Sequence, residues 1–478
     1  MQQCVLPALA LLLLSTGQSV PQQPEPAAER TPPLADWEAL RYGMFIHFGM
    51  STYTGHEFGG IPATSAEFAP TALDVDQWIR VAKEAGMKYA VLTTKHCYGH
   101  ALWPTKESEY SVATSAAPVD VVRQFVDACR KHGLEPGFYY LLGWDQVNQA
   151  RMTPPEYERF CRRQVTELLT GYGPILEMWF DIPWDMGPES RRVLADLYAL
   201  VKEKQPDCLV LLNQGFADGA EVVARGPTYR GEAAGDEPVL LWPKDLIDGE
   251  VTLPPSGGHD PWMKVEGRTY YIPMETCDTL ARHWFFLDHD ALNTVPTLYG
   301  LYRGCLDRRA NLLLDVAPDR TGRIPAGAVR RLMELARVID DPAALPLNLL
   351  HGKAAIASNV YRDDPAYGPD KLTDGDSRTR WATDDAVTAA WVEFDLGADT
   401  AFDSAVVTEG WNRVEEFAIE VPDGEGGWTA VHRGGKIGGD GALLRFPAVT
   451  ARRVRLAIQR ATVGPTIWDF EVYRGARN

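Results

Sequence analysis

Between about residue 38 and residue 343 the chain alternates short apolar runs with amphipathic segments, and this repetition leaves few folds open. "YGMFIHFG", "KYAVLTTKH", "LEPGFYYLLG" and "ILEMWFD" are followed by "LDVDQWIRVAKEAG", "VDVVRQFVDACRKHG", "PEYERFCRRQVTELLTGYG" and "PESRRVLADLYALVKEK", and "CLVLLN" begins the next unit. In the second helical segment Val121, Val122, Phe125, Val126 and Cys129 recur at helical spacing. Arg130, Lys131 and His132 follow at the negative end of the helix dipole, and Gly133 stops the helix, as Gly86 and Gly173 do after theirs. Strand and helix in strict alternation imply a parallel sheet. The later runs "TYYIPMET" and "RRANLLLDVAPD" bring the count toward eight, so the expected fold is α/β, a (β/α)8 TIM-like barrel over residues 38–343. The stretch 214–268, with "DLIDGEVTLPPSGGHDPWMK", has no clear periodicity and is expected to form loops near function.

From residue 349 to 478 the texture changes to strand-like alternation with turns and no long amphipathic helix, as in "AAWVEFDLG", "FAIEVPD" and "RRVRLAIQRA". That pattern predicts an all-β jelly-roll sandwich as a second domain. The apolar run from Val5 to Leu14 reads as a signal peptide over residues 1–19, too short to span a bilayer, with a Pro-rich leader over 20–37. A secreted or periplasmic protein without a membrane span is expected. A net charge of −18 with no basic run argues against nucleic acid as a partner. Beyond Cys4, the six cysteines lack CxxC spacing, which points to neither a metal site nor an evident disulfide framework. Oligomeric state stays open.

In a barrel, side chains at the C-terminal ends of the strands converge on one face. His47, His96, Tyr139 or Tyr140, Trp144, Asp181, Asn213, Glu232, Glu275 and Asp315 occupy such positions. Carboxylates among hydrogen-bonding and aromatic groups are what glycoside hydrolysis requires, one to attack the anomeric carbon and one to protonate the leaving oxygen; that chemistry needs no cofactor or metal. Simpler readings compete. Asp181 alone would more often cap a helix, His47 would be a core histidine, and Glu275 would pair with Arg282. Trp103 and Trp144 would be packing residues.

"MFIHFG", "KYAVLTTKHCYGHALWPTKESEYSV", "PGFYY", "EMWFD" and "METCDT" together resemble, in the same order, motifs of the α-L-fucosidases of glycoside hydrolase family 29. The resemblance implies a retaining, exo-acting enzyme on a fucosylated glycan or glycoconjugate, with Asp181 as nucleophile. It also implies His47 and His96 on fucose hydroxyls, Tyr139 or Tyr140 near the ring, Trp179 in support of the nucleophile, and Glu57, Trp103 and Asn213 among the substrate contacts. For the acid/base, Glu232 in "TYRGEA" is the best match and Glu275 the second. Cys97 stands where many members carry a second His, and "NQGFADG" keeps only Asn213 of a familiar Asn-Asp-Arg-Trp segment. The C-terminal region, through "YGPDKLTDGDSRTRWATDD", "WVEFDLG" and "WDFEVY", is similar to coagulation factor 5/8 C-type, or discoidin-like, domains. There the turn of Asp374, Gly375, Asp376, Thr379 and Trp381 implies a largely structural role and is compatible with a structural calcium. Two other readings stay open: a catalytically silent glycan-binding protein on the same scaffold, and a barrel glycosidase acting on another sugar.

Overall fold

Eight strands lie side by side in one parallel sheet: β1 (Tyr42–Ile46), β2 (Tyr89–Lys95), β3 (Glu135–Leu141), β4 (Glu177–Asp181), β5 (Leu209–Leu212), β6 (Ile247–Asp248), β7 (Met274–Thr279) and β8 (Ala310–Asp315). Their order, β5-β4-β3-β2-β1-β8-β7-β6, is that of a barrel, and a parallel bridge between Leu211 and Leu246 nearly closes it. The computed structural model describes residues 24–183, 190–213, 223–224, 239–255, 257–265, 267–288, 290, 292–345, 347–374, 379–437 and 442–474. All seven residues of β2 are buried, as a strand covered on both faces requires.

The helices begin and end where local chemistry directs. Helix α1 is Pro32–Leu40, α2 Val75–Glu84, α3 Val121–His132 and α4 Pro154–Gly171. Asp74 accepts the Gln77 amide at the start of α2, Asp120 accepts the Arg123 amide at the start of α3, and Thr153 with Glu156 forms a capping box on α4. Gly133 closes α3 at φ 68°, a left-handed conformation that costs glycine little. The apolar faces of α2 and α3 bury Trp78, Ile79, Phe125 and Val126 in the shell between helices and strands. Among the described residues no helix follows β5 or β6; an antiparallel hairpin, Trp262–Val265 with Arg268–Tyr271, stands between β6 and β7.

Inside the barrel, the period of two sends Glu177, Trp179 and Asp181 inward while Met178 and Phe180 pack outward. The floor is plugged by α1, so the stretch expected as leader belongs in part to the barrel. Pro32 and Pro33 suit a first helical turn, where missing N–H groups cost nothing. Fully buried Trp37 donates to Glu177 Oε2 at 2.8 Å, and Asn311 donates to the Trp37 carbonyl at 2.8 Å. Beside Glu177, the buried carboxyl of Glu275 accepts from Tyr89 OH at 2.6 Å and from Trp179 Nε1 at 3.2 Å.

Burial pushes Glu275 up to about 7, and burial, then the charge of Glu275, pushes Glu177 well above the ordinary range. A carboxyl whose pKa is raised by folding contributes stability below its ordinary value of 4.5, and that contribution is lost as pH rises through about 7. Glu275→Gln is therefore expected to raise the thermal midpoint relative to the parent at pH 8 and to change it little near pH 4.5. Unfolding followed at both pH values checks this.

The second domain is an antiparallel β-sandwich. Two twenty-residue strands, Ala390–Glu409 and Ala442–Ala461, pair along most of their length, and Trp381, Phe394, Phe417 and Phe470 fill the core. Leu350 is already buried in that core, and the Leu349 amide donates to the Val472 carbonyl at 2.9 Å. Of the turn compatible with calcium, Gly375 and Asp376 lie outside the described residues. Asp374 accepts from Thr379 Oγ1 at 2.8 and 3.0 Å, with Lys371 Nζ at 3.9 Å. Among the described residues no group of three or more His, Cys, Asp or Glu is arranged to hold a metal, Cys97, Cys129, Cys161, Cys208, Cys277 and Cys305 are free thiols, and no helix is long and apolar enough to cross a membrane. Residues 1–19, read as a signal peptide, lie outside the described residues.

Candidate active site

Asp181 ends β4 with its carboxylate at the mouth of the barrel. Tyr139 OH donates to Oδ2 at 2.5 Å, and Oδ1 accepts both the Asn213 amide and the backbone N–H of Ile182 at 2.8 Å. The last contact depends on Ile182 adopting φ 48°, a left-handed conformation rare for a β-branched residue, which turns its amide back onto the preceding carboxylate. Burial, then the neighbouring charge of Glu250, pushes Asp181 up to about 6, against the pull of its three hydrogen bonds.

Glu250 follows the short strand β6, and its Oε2 accepts from the same Asn213 nitrogen at 2.9 Å. One amide nitrogen 2.8 and 2.9 Å from two carboxylates holds their nearest oxygens no more than about 5.7 Å apart, compatible with the ~5–5.5 Å of a retaining glycosidase pair. The residue after Glu250 shares the φ of Ile182 but not its contact: Val251 sits at φ 48°, its amide donating to the Cys277 carbonyl at 2.8 Å. Glu250 was not among the residues singled out from sequence. The only signal was its place in the aperiodic stretch expected to lie near function.

The wall beside the acids is imidazole and indole. His47, just past β1, places Nδ1 2.7 Å from Asp315 Oδ1 at the end of β8. Burial pushes His47 down to about 3 and the Asp315 carboxyl up, which favours a neutral imidazole whose tautomer sets which ring nitrogen donates. His96, past β2, stacks on Tyr139 at 5.5 Å and 20°, and Tyr139 stacks on Trp179 at 5.4 Å and 25°. The buried Nδ1 of His96 has no hydrogen-bond partner, the condition expected of a group that awaits a ligand hydroxyl. Trp284 and Phe285 contact the His47 ring at 5.1 and 5.2 Å, and Glu57 accepts the backbone amides of both.

The barrel thus brings together His47, Glu57, His96, Tyr139, Trp179, Asp181 and Asn213 of the expected set. Three expected residues stand elsewhere. Tyr140 points outward, donating to Gln164 on α4 at 2.8 Å, because adjacent strand residues face opposite sides. Trp103 is buried in the outer shell, its indole donating to Glu167 at 2.9 Å, and does not reach the mouth. Glu275 is the second residue of β7, level with Asp248 and Asn311, and lies beneath Trp179 on the barrel floor, so it has no path to a substrate above Asp181. Arg282, its expected partner, instead stacks on Trp468 of the sandwich. Glu232 lies outside the described residues. Trp144, the strand-end aromatic beyond β3, is 43% exposed and therefore not core.

A family model described as Alpha-L-fucosidase matches residues 56–225, and a second, described as a NedA-like, galactose-binding domain, matches residues 371–456. The chain belongs to the α-L-fucosidase family, with a discoidin-like C-terminal domain. Its similarity to relatives crosses both domains of this family member. Alpha-L-fucosidase 1 of Arabidopsis thaliana is 28% identical over 453 residues, covering 91% of this chain and 86% of that protein. At the level of fold alone, a glycoside hydrolase 29 family member from an unknown rumen bacterium aligns with a TM-score of 0.53 at 24% identity, over 95% of this chain and 78% of the other. A Ruminococcus gnavus GH29 fucosidase, solved in complex with fucose, aligns with a TM-score of 0.51 at 20% identity, over 95% and 97% of the two chains. The first family match spans the chain from Glu57 through His96, Tyr139 and Asp181 to Asn213; Glu250 falls beyond it.

Proposed function

We propose that this protein is a retaining exo-α-L-fucosidase in which Asp181 is the nucleophile and Glu250 the general acid/base. The observation that carries the reading is the Asn213 amide, which bridges the two carboxylates at the barrel mouth beneath the His47–His96 wall. Ionised Asp181 attacks C1 of the sugar while Glu250 gives its proton to the departing oxygen, forming a covalent fucosyl-enzyme with inversion. Glu250 then takes a proton from water, which attacks C1 with a second inversion. Retention of the α configuration follows. Neutral His47 offers Nε2 to a sugar hydroxyl, His96 offers its unpartnered Nδ1, and the faces of Trp284 and Phe285 suit the methyl group of a 6-deoxy sugar.

Incubation with a panel of aryl glycosides, with the released sugar followed by proton NMR, tests the assignment. Turnover confined to the α-L-fucoside with α-fucose appearing first is expected. Binding of fucose without turnover, or hydrolysis of another glycoside alone, overturns it in favour of a silent binder or a different glycosidase. A pH profile adds a second check. Because Asp181 must be ionised and its pKa is pushed up to about 6, kcat/KM is expected to fall tenfold per pH unit below about pH 6. A flat acid limb down to pH 4.5 shows that Asp181 is not held near 6 in the free enzyme.

A further inference from the structure

We propose that the C-terminal sandwich forms the leaving-group wall of the active site, with Trp411 as the stacking platform for a neutral pyranose attached to the fucose. The proposal rests on the fucosidase reading above. A cleft of about 1130 Å³ separates the two domains, more room than the ~300–1,000 Å³ of most small-ligand sites and enough for more than one sugar ring. On the barrel side it is lined by Val251, next to Glu250, and by Trp284, which packs on His47. It therefore begins where the sugar hollow ends, on the side of the group that donates the proton. On the far side it is lined by Arg380, Trp411 and Trp468.

Trp411 does nothing for the sandwich core. It is 53% exposed, and it and Asn412 hold φ of 64° and 50°, consecutive left-handed residues without a glycine. For a bulky residue that conformation is costly and tends to persist where a side chain has to be aimed. Trp468 lies 5.9 Å away at 35°, extending the platform. The Arg380 guanidinium stands 5.2 Å from the Trp468 ring and 5.7 Å from that of Trp411, and Arg413 stands 5.0 Å from Trp411. The wall is fixed to the barrel by Arg282, whose guanidinium covers Trp468 at 3.6 Å and reaches Asp469 at 3.4 Å.

Charge decides the class of sugar. Asp278, Asp374, Asp469 and Glu471 line the cleft against Arg282 and Arg380. Donors and acceptors in that mixture suit the hydroxyls of a neutral ring lying on indole, and the excess of carboxylates disfavours an anionic one.

The test compares kcat/KM of the full-length protein and of Trp411→Asn and Arg380→Gln on two substrates, 4-nitrophenyl α-L-fucoside and a soluble trisaccharide carrying α-L-fucose on a neutral disaccharide. Asparagine tolerates the left-handed backbone, and the aryl fucoside reports folding and chemistry. Each variant is expected to lose roughly tenfold on the trisaccharide, the rate equivalent of one stacking or polar contact, with the aryl fucoside unchanged. Unchanged trisaccharide kinetics in both variants overturn the subsite, as does an equal loss on both substrates. A parent protein inactive on the aryl fucoside sinks the fucosidase reading itself, which separates the two failures.

Discussion

Asp181→Ala is expected to lower kcat/KM for an aryl α-L-fucoside by roughly 10⁴- to 10⁶-fold, the scale on which removal of an enzymic nucleophile is felt. Among the described residues the neighbouring acids are not placed to substitute. Glu250 approaches from the other side of Asn213, and Glu275 lies under Trp179. Tyr139, whose hydroxyl is 2.5 Å from Oδ2, is held protonated by burial and by Asp181 itself. Added azide enters the space left by the side chain and displaces the aglycone with a single inversion, so the product expected is the β-azide. A companion variant tests the electrostatics. Asp181 has a raised pKa, so at pH 8 its charge opposes folding, and Asp181→Asn removes that opposition. After discounting for the partly open tip, Asp181→Asn is expected to be more stable by about 1–2 kcal/mol at pH 8, with the gain vanishing near pH 4. A variant both inactive and more stable is the signature of a group kept for chemistry at the expense of the fold. Retention of normal turnover by Asp181→Ala removes the nucleophile assignment.

Asp181 could be read from sequence because three constraints meet on it: the apolar period of β4, the end of a parallel strand, and an ordered set of motifs. The same period settles what the motif "PGFYY" left open, since the register of β3 puts Tyr139 opposite Trp179 and inside the barrel, and Tyr140 outside against α4. Glu250 was hidden for a physical reason. β6 has two residues, too few to carry a period, and its position comes from long-range contacts: Asp245 and Leu246 donate to the Val210 carbonyl, and Gly249 donates to that of Glu275. None of these partners is local. Trp103 misled in the opposite way, because a tryptophan inside a family motif looks like a sugar platform until Glu167, 64 residues on, claims its indole. Trp37 was obscured by the prolines before it, which read as leader although they suit the first turn of a helix.

Glu250→Ala is expected to separate the two halves of the reaction, since a general acid matters in proportion to the basicity of the leaving group. On a fucosylated oligosaccharide, whose alkoxide departs poorly without a proton, a loss of roughly 10²- to 10⁴-fold is expected. On an activated aryl fucoside the first step needs little assistance, so the fucosyl-enzyme on Asp181 should form quickly and accumulate, giving a burst of phenol followed by slow turnover. Azide needs no general base to attack. It should raise the steady rate and give the α-azide, because attack on the fucosyl-enzyme is a second inversion. The anomer distinguishes the two acids: β-azide from Asp181→Ala and α-azide from Glu250→Ala assign each carboxylate independently of any rate. Asn213 joins them physically. Its amide donates to both at 2.8 and 2.9 Å, so Asn213→Ala should impair both half-reactions without abolishing either. If Glu250→Ala hydrolyses the oligosaccharide at the parent rate, the proton comes from elsewhere, and Glu232 becomes the residue to substitute next.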